Sequence, residues 1–185
     1  MPGDWFVDGH TVPHPSSLVA VDQAKGQINS SVVIVGSKAV RFLKFIHEKT
    51  AGREFIDAST AGEASFNYLP LQLGAIRGWA TMFHLYGFGA DERLASMVTD
   101  VVAHAKALIV ATEVDEAIFR HTASLVARRK DLPAVVLAPD ALRLQWGRAS
   151  GATPVLEGAW SLDAVFPALK AAAKEVLSQL RSAQG

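Results

Sequence analysis

Residues 30 to 50, SSVVIVGSKAVRFLKFIHEKT, set a single glycine between an apolar run and a helix-like pattern, the arrangement in which a backbone turn can hold a phosphate. A phosphate loop of the G-x-x-x-x-G-K-[ST] kind needs about eight residues. Backbone N–H groups must wrap the phosphate, a lysine must reach its terminal oxygens, and a hydroxyl must hold magnesium. Here the helical pattern begins almost immediately after Gly36, so Lys38 stands too close to the glycine and Ser37 is the one hydroxyl on offer. Three readings stand at this point: a working nucleotide pocket, a pocket that has been lost, and an ordinary strand-to-helix turn.

Other chemistry is thinner. His84 shares its strand face with no second ligand at metal spacing and reads as a half-buried strand residue. His10 and His14 lie in a Pro-rich arm, and His104 and His121 fall on helix surfaces or ends. RASGAT lacks the G-x-S-x-G frame of a nucleophile elbow and follows no strong strand. TEVD at 112–115 reads as a capping box.

The chain of 185 residues is half hydrophobic, the size of one domain with a substantial core. Eighteen basic residues cancel eighteen acidic ones with no basic groove, which argues against nucleic acid. The run Arg128, Arg129, Lys130 sits at an expected helix C-terminus, where it complements the helix dipole. With no cysteine there are neither disulfides nor thiolate metal sites. No apolar run suits a signal peptide or a transmembrane helix, so a soluble, cytoplasmic protein is expected.

MPGDWFVDGHTVPHPSS reads as an irregular, flexible arm over residues 1–17, with one domain over 18–185. LVAV and SSVVIV read as strands, the second central and covered on both faces. A helix follows to about Lys49 and stops at TAGRE. FNYLPLQL and WATMFHLY form an antiparallel pair around Gly74 to Gly78. After GFGAD come a helix stripe through Leu94, Met97, Val98 and Val102, the strand ALIVAT, and a helix from about Val114 to Arg129. The strand PAVVLA, a loop with a short helical piece, a brief strand near TPVLE and a last helix from Ser161 complete the chain. The alternation predicts an α/β domain, its central sheet mostly parallel with one antiparallel strand and helices on both faces.

The stretch FNYLPLQLGAIRGWATMFHLY, residues 66–86, resembles the strand, turn and strand of the MglA-type bacterial Ras-like GTPases, the gliding-motility and polarity switches. INSSVVIVG, FIHEKT and AVFPALKAAAKEVLSQL match that family's first strand, first helix and last helix, so the resemblance covers Ser30 to Leu180. It implies a Ras-like P-loop-type fold.

On that resemblance, each nucleotide loop departs from the family's pattern. Its phosphate-loop Lys-Thr falls on Ala39 to Arg41. After HLY, in the run Gly87, Phe88, Gly89, Ala90, Asp91, the phosphate-sensing glycine falls on Ala90 and the water-orienting glutamine on Asp91, whose charge would repel a γ-phosphate. The guanine-reading Asn-Lys-x-Asp is replaced by LAPDAL, with Asp140 the surviving member, and LEGAWSLD carries Trp160 where a base ring would lie.

The resemblance therefore implies a pseudo-GTPase, without catalytic residues, cofactor or metal, acting as a nucleotide-independent interaction module. Its implied partner is a roadblock-domain protein or an active MglA-like GTPase in a polarity or motility system. Arg77, Trp79, Met82, Arg93 and Met97 are the expected partner surface, although core packing explains Trp79 and Met97 equally well. Phe88 and Trp160 are expected to fill the vacated pocket. One alternative is a GTP/GDP-binding switch with Mg, weak in hydrolysis, using Ser37, Lys38 and Asp140. Another is a scaffold subunit whose arm docks on a second chain.

Overall fold

In the computed structural model, residues 3–7, 9–50, 54–57 and 65–183 are described. Some of TAGRE, and residues 1, 2 and 8 of the arm, lie outside them. The elements in chain order are β1 (Trp5–Val7), β2 (His10–Val12), β3 (Val21–Asp22), β4 (Gln27–Val35), α1 (Ala39–Lys49), β5 (Ile56–Asp57), β6 (Phe66–Ile76) and β7 (Trp79–Phe88). Then follow α2 (Ala95–His104), β8 (Ala107–Ala111), α3 (Ala117–Arg128), β9 (Ala134–Leu137), α4 (Asp140–Ser150), β10 (Leu156–Gly158) and α5 (Val165–Ala183).

The apolar run Val32 to Val35 has no exposure at all, because β4 pairs in parallel with β7 on one side and β8 on the other while helices cover both faces. The sheet order is β10-β9-β8-β4-β7-β6-β5. One face carries α1 and α5, with Phe42, Leu43, Ile46, Leu169 and Val176 packed on Ile34, Leu85 and Ile109. The opposite face carries α2, α3 and Trp146 of α4 over Val33, Tyr86 and Val110. The chain is thus α/β with a mixed, mostly parallel sheet. Antiparallel pairing exceeds the single strand expected: β6 with β7, β5 with β6, and β3 with β4.

The β6–β7 hairpin forms as the alternation predicts, but β6 runs through Gly74 to Ile76, and the turn is the dipeptide Arg77-Gly78. Both residues have positive φ, 51° and 82°, as a two-residue turn matched to strand twist requires. Gly74, at φ 79°, lies within a register shift between Gln72 and Ala75. In LVAV only Val21 enters a strand, and the expected short helical piece after β9 is a full eleven-residue helix.

The N-terminal segment departs furthest from expectation. Instead of an irregular arm, β1 and β2 pair with Trp5 opposite Val12, and the hairpin packs on the body of the same chain. Trp5 meets the rings of His14, Phe66 and Tyr86 edge-on at 4.9, 5.4 and 6.1 Å. The Tyr86 hydroxyl donates to the Pro13 carbonyl at 2.6 Å, and His14 and Val12 are wholly buried. Trp5→Ala should cost about 2 kcal/mol in urea unfolding, since it removes a half-buried aromatic from three ring contacts. It should also speed amide exchange in β2; unchanged stability and exchange would show that the hairpin is not held this way.

Candidate functional site

The loops beyond the carboxyl ends of β4, β7, β8 and β9 are where ligands enter a sheet of this kind. Between Val35 and the start of α1 there are three residues, and every backbone donor from Gly36 to Ala39 has an acceptor within the protein. Gly36 N donates to Phe88 O at 3.1 Å, Lys38 N to Ala111 O at 3.0 Å and Ala39 N to Gly36 O at 3.1 Å. Ser37 N donates to the Glu116 carboxylate, Oε1, at 3.3 Å. A carboxylate of this chain therefore takes the amide that a phosphate oxygen would need.

The same Glu116 oxygen accepts from Thr112 Oγ1, whose oxygen lies 3.2 Å from Ser37 Oγ. Thr112 is fully buried, and Glu116 Oε2 is buried without a hydrogen-bond partner. Lys38 Nζ pairs with Glu113 Oε2 at 3.1 Å, which turns the ammonium toward the loop after β8. One lysine thus faces a loop carrying Glu113, Asp115 and Glu116, of which Asp115 pairs with Arg120 at 2.8 Å. The field at the turn disfavours a polyanion. TEVD is accordingly not a capping box: Glu116 is the N-cap residue of α3, and Thr112 bonds within the loop.

In the loop after β7, Gly89 N donates to Ser65 O at 2.9 Å, and Ala90 packs against the α2/α3 core. Asp91 caps the turn at Glu92–Leu94, accepting from Arg93 N at 2.8 Å, and holds the Arg93 guanidinium at 2.6 Å. Hydrogen bonds from the Arg93 side chain and backbone hold the Asp91 carboxyl down at about 2. After β9, Asp140 opens α4 with its side chain 87 % exposed and ion-paired to Arg143. Asp140, Arg143, Leu144 and Glu157 border a depression of about 280 Å³. Phe88 and Trp160 do not share a pocket: Phe88 is buried on the α2/α3 side of the sheet, whereas Trp160 lies 6.4 Å from the Phe42 ring on the α1/α5 side.

The five residues expected as one surface are not brought together. Arg77 and Trp79 stand at the hairpin turn, where β7 begins, while Arg93 and Met97 follow its end at Phe88. Nine residue steps along a strand separate those ends by roughly 30 Å. Met82 alternates with Phe83, so it points to the sheet face opposite Trp79, and Met97 packs against the core.

His14 is no free tail residue: its Nε2 lies 2.8 Å from Asp100 Oδ2 and its Nδ1 2.6 Å from Ser16 Oγ. The Asp-His-Ser row ties the N-terminal segment to α2 through Asp100. Ser16 N also donates to Nδ1, and the next amides, Ser17 N and Leu18 N, are bonded to His14 O and Pro15 O. His84 is buried and joined to Tyr68 and Asn29, and His121 Nε2 lies 2.7 Å from Thr99 Oγ1. Among the described residues no group of three His, Cys, Asp or Glu is placed to hold a metal, and no helix is long and apolar enough to cross a membrane.

Sequence reasoning missed Glu116 and assigned Thr112 and Glu113 to a capping box. The available signal was three carboxylates in the loop that follows a buried strand, at the ligand-binding end of the sheet. No protein-family model and no curated protein matches this chain.

Proposed function

We propose that this protein is a nucleotide-independent protein-interaction module, a pseudo-GTPase of the MglA-like kind whose phosphate turn is closed by its own residues. The observation that carries the reading is the complete internal use of the turn amides Gly36 to Ala39, with the Glu116 carboxylate on Ser37 N. The framework is compatible with a Ras-like fold: a mostly parallel sheet, helices on both faces, and the antiparallel β6–β7 hairpin beside the central β4. Asp91 and Asp140, each paired to a neighbouring arginine, supply neither a water-orienting amide nor a base-reading set. The partner in this reading is a roadblock-domain protein or an active GTPase of the same kind, bound in one fixed conformation.

Calorimetry with GTP and GDP, with magnesium and on protein unfolded and refolded to strip carried nucleotide, tests it directly. The expected result is no binding heat at millimolar ligand. Micromolar binding would overturn the reading in favour of an atypical GTP/GDP switch.

A further inference from the structure

The helix α5 does not bury the whole of its apolar side. Leu169, Ala173 and Leu177, with Leu73 and Gly74 of β6 as the facing wall, form an open groove of about 700 Å³. Phe166, at its upper end, is 40 % exposed despite its contact with Phe45. The α5 residues lining it run from Phe166 to Ser182, sixteen steps, or about 24 Å of helix.

Charge singles out the occupant. Among the described residues, three charged side chains border the groove, Lys170, Lys174 and Arg181; all are cationic. At about 100° per residue they fall within roughly 40° of one another, forming one rank beside the apolar stripe. None is ion-paired among the described residues. Ala173, Gly74 and Ser178 are small and allow a backbone to approach closely.

We propose that this groove binds an amphipathic helix of a protein partner, apolar along one stripe and acidic along the flank beside it. A helix of about four turns matches the length of the groove, its apolar anchors replace the water over Phe166 and Leu177, and its carboxylates meet the lysine and arginine rank. The concave wall at Leu73 and Gly74 suits a rod and not a flat bilayer. The groove makes no use of the Gly36 turn, so this inference stands or falls separately from the nucleotide reading.

The test uses two fluorescent helical peptides of about sixteen residues with the same leucine stripe, one flanked by glutamates and the other by lysines, followed by anisotropy on the full chain at low ionic strength. The glutamate peptide should bind at least about tenfold more tightly, with the preference lost in high salt. The double variant Lys174→Glu/Arg181→Glu, both positions exposed, should invert the preference while its thermal unfolding stays near that of the parent. Equal binding of the two peptides would overturn the proposal. So would binding to phosphatidylglycerol vesicles with none to the glutamate peptide, or dimerisation in ultracentrifugation that the same double variant abolishes.

Discussion

Gly36→Ala is expected to destabilise the protein by about 4 kcal/mol, a large share of the roughly 5–15 kcal/mol that holds a domain together. Gly36 has φ 119°, a backbone conformation open in practice to glycine, and a Cβ built on it would lie 2.3 Å from Ala111 O and 2.9 Å from Ala111 C. Neither atom can yield alone. Ala111 O accepts from Lys38 N, and Ala111 ends β8, which is registered on β4 through Val110 and Val35. Relief would force β4 and β8 apart or break the amide network of the turn. Gly26→Ala is the control: it too has positive φ, 61°, but nothing lies within 4 Å of its Cβ, so about 1 kcal/mol is expected. Urea unfolding of both variants separates strain from collision, and equal losses would show that the close approach at Gly36 is not there.

That collision gives Gly36 a reason inside the fold that involves no phosphate. A strand-to-helix turn tucked against the end of the neighbouring strand needs glycine for the same reason that a phosphate cradle does, namely the approach of another backbone. The motif could not separate these, because Glu116, the carboxylate that takes the Ser37 amide, lies seventy-nine residues beyond Ser37. What it does there is a side-chain contact of a loop. No periodicity announces such a contact.

The elements that were legible share one property: their local pattern and their burial agree. The β6–β7 hairpin alternates, and its Arg77-Gly78 turn carries the one residue type that accepts φ 82° freely. On α5 the stripe buries Val165, Leu169, Ala173 and Val176, while Phe166 and Leu177 at its edge stay partly exposed. Where pattern and burial diverge, reading from sequence fails. In α4, DALRLQWGRAS buries Trp146 and Ser150 and leaves Leu144 exposed, so no stripe marks it as a helix. The β1–β2 strands are three residues each, too short to show alternation, and are held by Trp5, His14 and Tyr86 across the fold. The scattered partner set fails for a metric reason: Trp79 and Met97 look close in sequence, but an extended strand fills the interval.

Acid should weaken this fold in a window set by His84. Its ring is buried between Tyr68 OH, 2.7 Å from Nδ1, and Asn29 Oδ1, 2.9 Å from Nε2. Asn29 Nδ2 donates to Val19 O at 2.8 Å, which fixes the amide so that its oxygen faces the histidine. The imidazole is then neutral with its proton on Nε2, and Nδ1 accepts from the tyrosine. Burial, with a smaller contribution from the Lys25 charge, pushes the pKa of His84 down from 6.5 to about 4. A lowered value means that the unfolded chain binds the proton more readily. The contribution is therefore complete above about pH 6.5 and is lost progressively as pH falls toward 4, by roughly 3 kcal/mol in all. The Asp91 carboxyl, held at about 2, acts in a lower range and does not overlap the upper end of this window. Between pH 7 and pH 4.5, urea unfolding should show a loss of roughly 2–3 kcal/mol. His84→Gln, whose amide can accept from Tyr68 and donate to Asn29 without titrating, should remove most of that slope while retaining most of the stability at pH 7. A variant as acid-sensitive as the parent would place the titrating group elsewhere and leave His84 a purely structural link between β7, β6 and β4.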